Sequence, residues 1–156
     1  MTAPLILRLV DWPDADRAVW AGLFVEGTIL AGSGPCVNWA EGSRRKRAQA
    51  YGHWLGFLGQ AGEMEGKTAP TERVTPATIG AFAGHEQARR KPITVYIHVI
   101  DLYVFCQVID PGRDWSWLGR IAFRLRARCE MQALKPRAST TARAILDSAL
   151  TRVTAA

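Results

Sequence analysis

Cysteine is scarce in this chain: Cys36, Cys106 and Cys129 are odd in number and share no CxxC spacing. That leaves no basis for a disulfide framework or a cysteine zinc site. Histidine is equally thin, and His53, His85 and His98 form no HExxH or similar ligand pair, so neither a metal nor any other cofactor is expected. No apolar run reaches the roughly eighteen residues needed to cross a bilayer. The opening LILRLV stretch is too short and too poorly flanked for a signal peptide. A cytoplasmic protein with no membrane partner and no small-molecule substrate is the expectation. The glycine-rich stretch from Ala31 to Pro35 lacks the GxxxxGKS/T pattern of a phosphate loop and reads as a connector.

What is present is enough apolar material for one core, 48% of 156 residues, in a chain too short for two ordinary domains and a linker. Charge is distributed unevenly. Residues 1–42 hold two Arg against five Asp and Glu, a balance of −3, and the remainder holds eighteen basic against nine acidic residues, a balance of +9. A basic surface of this kind suits a polyphosphate partner, although charge alone is a weak guide.

Apolar spacing predicts five helices and no sheet, an all-α bundle. The first follows Trp12-Pro13, with Asp14 or Asp16 as cap and Trp20, Leu23 and Phe24 on one face, and it fades near Gly27. The second takes Ser43 as N-cap, carries Tyr51, Trp54, Leu55 and Leu58 inward, and has Gly59 and Gly62 to end it. Residues 62–73 read as an exposed loop. Thr75-Pro76 opens a third helix with Ile79, Phe82 and Ala83 inward, ending near Ala88. Residues 93–109 are rich in β-branched and aromatic residues, which favours a strand by propensity. Length and the placement of Thr94, His98 and Asp101 at i, i+4 and i+7 favour a buried helix entered at Pro92 instead. Asp114 caps a fifth helix with Leu118, Ile121, Ala122, Leu125 and Cys129 inward and Arg120, Arg124 and Arg128 outward, and Thr140 to Val153 suggests a further short helix.

The order of these features resembles a known family. The run SRRKRAQAYGHWLGFL (Ser43 to Leu58), then VTPATIGAF (Val74 to Phe82), then KPITVYIHVIDLYVF (Lys91 to Phe105), and finally PGRDWSWL (Pro111 to Leu118), with Trp12-Pro13 and Trp39 before them, is similar to the N-terminal core-binding (SAM-like) domain of phage-integrase-type tyrosine recombinases. The resemblance covers roughly residues 10–135. It implies an N-terminal extension with the first helix over 1–38, the core-binding domain over 39–135, and over 136–156 a linker or the start of a catalytic domain. It further implies that the complete enzyme closes on DNA as a clamp whose other half supplies the tyrosine nucleophile. The tyrosines here, Tyr51, Tyr96 and Tyr103, all fall in the core helices and none has an Arg-x-x-His neighbourhood, so the chain is expected to have no catalytic residue and no enzymatic activity of its own.

Ser43-Arg44-Arg45-Lys46-Arg47 places four cations in a first helical turn, where the helix dipole disfavours them and a bound phosphate would offset the cost. Arg89-Arg90-Lys91 precedes the fourth helix in the same manner. In the family the second and fourth helices cross near the major groove, which makes these residues candidates for phosphate contact and Thr94, Tyr96 and His98 candidates for contact at base edges. For Tyr96 and His98 burial with a satisfied hydrogen bond is an equal alternative. The partners implied are double-stranded DNA and other recombinase subunits. The competing reading is a helical protein-interaction module, a decayed or truncated integrase remnant.

Overall fold

Prolines and one threonine set where the chain turns into helix. In the computed structural model, which describes residues 4–64 and 69–134, Pro13 precedes α1 (Asp14–Gly22), while Pro76 and Pro92 are the first residues of α3 (Pro76–Gln87) and α4 (Pro92–Ile109). At a first helical position the fixed φ is already helical and the missing N–H has no partner to lose. The Thr75 side chain accepts from the Thr78 N–H while Thr78 accepts from the Thr75 N–H, a reciprocal capping box. Between them α2 (Glu41–Ala61) ends at Gly62, whose φ of 72° is left-handed, a conformation that costs glycine nothing. The last helix, α5, covers residues 116–134 of the described chain, with Asp114 accepting from the Ser116 N–H. The fold is all-α, and no strand occurs among the described residues. The further helix expected over 140–153 lies outside the described residues.

α2 and α4 are the central pair, with α3 also packed on α4. Trp54, Leu55 and Leu58 from α2, Ile79 and Phe82 from α3, Val95, Val99 and Cys106 from α4 and Leu118 and Ala122 from α5 are at most 1% exposed. The strand-like composition of 93–109 is thus overridden, because a helix of that length buries one continuous face between α2, α3 and α5. By length and a mean hydropathy of 1.6 that helix is long and apolar enough to cross a membrane. Its buried residues include His98 and Asp101, both held by ionic partners on other helices.

Four local expectations are corrected. Asp14 and Asp16 do not cap α1, since Pro13 holds that position, and Asp16 is wholly buried. Ser43 does not cap α2, because the helix begins two residues earlier, after Ala40. α1 ends at Gly22 rather than near Gly27, because the returning chain takes its next carbonyls: Cys36 N–H donates to Leu23 O and Gly34 N–H to Val25 O. The loop before Arg73 contains a 3-10 turn, Pro70–Arg73, in which both end residues are buried.

Arg73 is drawn inside by Asp16. Its Nη1 lies 2.9 and 3.0 Å from the two carboxylate oxygens, and the Tyr51 hydroxyl donates to Oδ1 at 2.5 Å. The network joins α1, α2 and the 3-10 turn. Burial, and then the adjacent Asp16 charge, push the Tyr51 hydroxyl well above its ordinary pKa. The N-terminal segment adds a further layer across α2. Leu7 N–H donates to Gly52 O, and a Cβ at Gly52 or Gly56 would run into the carbonyls of Leu7 or Leu5, so both positions need glycine for close approach.

Asp16→Ala leaves a buried guanidinium without its counter-charge and is expected to lower stability by about 3–5 kcal/mol. The double variant Asp16→Leu/Arg73→Met, which removes both charges, is expected to recover most of that loss. Urea denaturation of the single and double variants measures both effects, and additive losses would count against the pairing. Thr75→Ala is expected to cost about 1 kcal/mol in the same assay through loss of the cap.

Candidate functional site

Because α2 starts at Glu41, the basic run lies in its second turn and not its first. The Arg44 N–H already donates to Ala40 O, so the backbone amides of 44–47 belong to the helix ladder and are not offered to an anion. Glu41 supplies the negative charge that the first turn favours. Ser43 stands exposed in that turn.

The four cations then separate by what they touch. Arg44 donates from Nη2 to Val37 O at 2.8 Å and from Nε to Trp39 O at 3.2 Å, and its guanidinium lies 4.3 Å from the centre of the Phe24 ring. Arg47 stacks 4.0 Å over Trp39 and pairs with Asp101 of α4 at 3.6 Å. Arg45 and Lys46 are exposed, and Arg45 makes a 3.5 Å surface pair with Glu41. Of the second basic segment, Arg89 is exposed and contacts only the His85 ring among its described partners. Lys91 is exposed at the N-cap of α4. Arg90 turns inward, its Nη2 donating to His53 Nδ1 on α2 at 3.2 Å and its Nε lying 2.9 Å from Glu86 Oε2.

The two basic segments therefore approach one side of the α2–α4 pair. Lys46 and His53 are seven residues apart on α2, about 10 Å along one helical face, and His53 is the residue that Arg90 reaches. The charges of Lys46 and Arg47 also act on Asp101 of α4, whose pKa burial raises and these cations partly restore. Thr94 lies half-buried toward the start of α4. Tyr96 is half-buried against the core, two residues and so about 200° round the helix from both Thr94 and His98. His98 is buried, with Nδ1 2.8 Å from Glu86 Oε2.

A buried polar cluster lies beneath this face. His53 and His98 stack with ring centres 4.3 Å apart, and Glu86 and Arg90 complete the group. Burial, followed by the charges of His98 and Arg90, lowers the His53 pKa to about 4, which keeps that imidazole neutral near pH 7. For Glu86 burial alone would raise the pKa, yet the hydrogen bond and charge of His98 and the charge of Arg90 outweigh it and bring it below the ordinary value. The spacing of the histidines along the chain gives no sign of this cluster. The usable signal was Glu86 itself, since Ile79, Phe82 and Glu86 fall at i, i+3 and i+7 on the inward stripe of α3. Burial pushes the Cys106 thiol up to about 12 and also raises Cys36, which holds both in the less reactive thiol form.

These contacts predict unequal effects within one basic run. Arg44→Ala removes two charge-assisted hydrogen bonds and a ring contact and is expected to lower stability by about 2 kcal/mol. Arg45→Ala is expected to change it by less than about 0.5 kcal/mol. Chemical denaturation of the two variants side by side distinguishes them, and equal effects would remove the distinction drawn between a pinned and a free cation.

A scan against protein-family models finds no match for this chain, and searches of curated proteins and of solved structures find none either.

Proposed function

We propose that the chain binds double-stranded DNA as the core-binding domain of a site-specific tyrosine recombinase, in DNA integration and recombination, without catalytic groups of its own. The observation that carries this reading is the approach of both basic segments to one side of the packed α2–α4 pair, through Arg90 reaching His53 and Arg47 reaching Asp101. The groups offered to phosphate are Lys46, Arg89 and Lys91, all exposed, with Arg45 on the neighbouring face of α2. Arg44 and Arg47 support the surface rather than contact the ligand. Thr94 is the polar side chain of α4 best placed to reach past the phosphates. The surroundings of the three tyrosines support a reading in which none of them acts as a nucleophile. Tyr51 is buried on Asp16, Tyr103 accepts from Gln107 at 2.8 Å, and Tyr96 packs on the core.

A second reading, a helical protein-interaction module, draws on α5. Phe123, Met131 and Leu134 are 62–72% exposed there, an apolar stretch of the sort that partner proteins cover.

Salt dependence separates the two. Each phosphate neutralised contributes about −0.9 to the slope of log K against log salt, so contacts from Arg45, Lys46, Arg89 and Lys91 correspond to a slope of about −3 to −4. The triple variant Lys46→Ala/Arg89→Ala/Lys91→Ala is expected to flatten that slope by about 2–3 units with stability unchanged. Fluorescence anisotropy of a labelled duplex, repeated over a salt series for wild type and variant, provides the measurement. Equal slopes would remove these residues from the interface, and no binding at low salt would sink the DNA-binding reading.

A further inference from the structure

We propose that His53, Glu86 and His98 form a three-ligand site for a divalent transition metal of the zinc type, and that Arg90 is the displaceable cation that fills this role in the metal-free chain. The inference is independent of the DNA-binding reading.

The donor set is the first ground. Two imidazoles and one carboxylate match zinc in both charge and softness, and three protein ligands leave a fourth position for water. Geometry is the second. One donor atom from each residue lies within 4.8 Å of the other two, whereas donors around a four-coordinate zinc, bound at about 2.0–2.1 Å, stand about 3.4 Å apart. Closing the site therefore takes donor-atom shifts of about an ångström.

Burial separates this group from an ordinary surface cluster. The Glu86 and His98 side chains are 3% and 9% exposed, and a carboxylate so placed requires a cation beside it. Arg90 supplies that cation, but imperfectly. Its Nε sits 2.9 Å from Glu86 Oε2, yet the Nε–H makes no hydrogen bond, so the contact is one of charge and not of fit. Its other contact, to His53 Nδ1, requires that nitrogen to present a lone pair, which is what a metal also requires.

Arg90 has somewhere to go. It follows the end of α3, its side chain is 29% exposed, and it lines a cleft of about 260 Å³ with Gln87, Leu125 and Arg128. On binding, the metal replaces the charge of Arg90 and does not simply add to it. Other titratable and charged groups near the site are Asp101, on the same helix as His98, Lys46 and Arg47 beside Asp101, and His85, on which the charges of Arg89, Glu86 and Arg90 act. Because His53, Glu86 and His98 come from α2, α3 and α4, an ion held by all three would tie three helices together and stabilise the folded chain by mass action.

The test uses the full chain, treated with a chelator and then titrated with Zn²⁺ by calorimetry, and with Co²⁺ by visible absorption. One ion per chain and a Co²⁺ spectrum of four-coordinate nitrogen and oxygen type are expected, with a rise in Tm on adding Zn²⁺. His53→Gln, at the least buried of the three ligands, is expected to weaken binding by about tenfold or more and to abolish the rise in Tm. Arg90→Gln is expected to tighten binding by about tenfold, the reverse of what loss of a merely structural residue would do. His85→Ala, which alters the half-buried histidine that is not among the three ligands, is expected to leave the affinity unchanged. Absence of one-to-one binding by the wild type, an affinity indifferent to His53→Gln, or an Arg90→Gln variant that binds no more tightly would each overturn the proposal.

Discussion

The placement of the N-terminal third depends on one buried ion pair. Asp16 and Arg73 are 0% and 2% exposed, and neither charge is tolerable there without the other. Their contact fixes α1 against the 3-10 turn before α3, and the Tyr51 hydroxyl ties both to α2. From that point the consequences run outward. With α1 held, Phe24 and Trp39 pack edge to face, 6.0 Å apart, and those two rings are what Arg44 and Arg47 lie against. Arg47, so held, is in reach of Asp101. The basic surface is thus positioned by a contact far from it in sequence.

α2 carries this load on two sides. Tyr51 and His53 are two residues apart and so point about 200° apart round the helix. One is committed to Asp16 and the other to Arg90 and the His98 ring. Between them Gly52 lets the N-terminal segment approach the backbone closely. A helix that must satisfy three neighbours at successive positions has no solvated stripe in its middle, which is why residues 50–58 are all buried. Its exposed residues collect at the ends, and at the N-terminal end they include Arg45 and Lys46.

The helices themselves were legible because period and punctuation agreed. Pro76, Pro92 and Gly62 stand where the backbone needs them, and the inward stripes of Tyr51, Trp54 and Leu58, or of Ile79 and Phe82, are simple 3.6-residue patterns. What could not be read was which charged residues go inside. Asp16 looked like a cap because a capping carboxylate and a buried one have the same local sequence, and the difference lies in Arg73, fifty-seven residues away. The cap assigned to Ser43 failed for a related reason. A serine followed by a basic run is a good start signal, but nothing in that pattern excludes a helix that has already begun at Glu41. His53, Glu86 and His98 come together only through the crossing of three helices, which spacing along the chain does not encode.

A net positive charge is also a poorer measure of an interface than it first seems, because a guanidinium does more than carry charge. The +9 balance after residue 42 includes Arg44, Arg47, Arg73 and Arg90, each with carbonyl, aromatic or carboxylate partners inside the protein. Arg suits such positions since it is planar, weakly hydrated and able to donate in several directions. Lys46 and Lys91, with compact ammonium groups that hold water strongly, stay outside together with Arg45 and Arg89. Position in the fold thus sorts this basic sequence into guanidiniums that build the surface and cations that remain exposed, and only exposed cations can displace counterions from a polyanion.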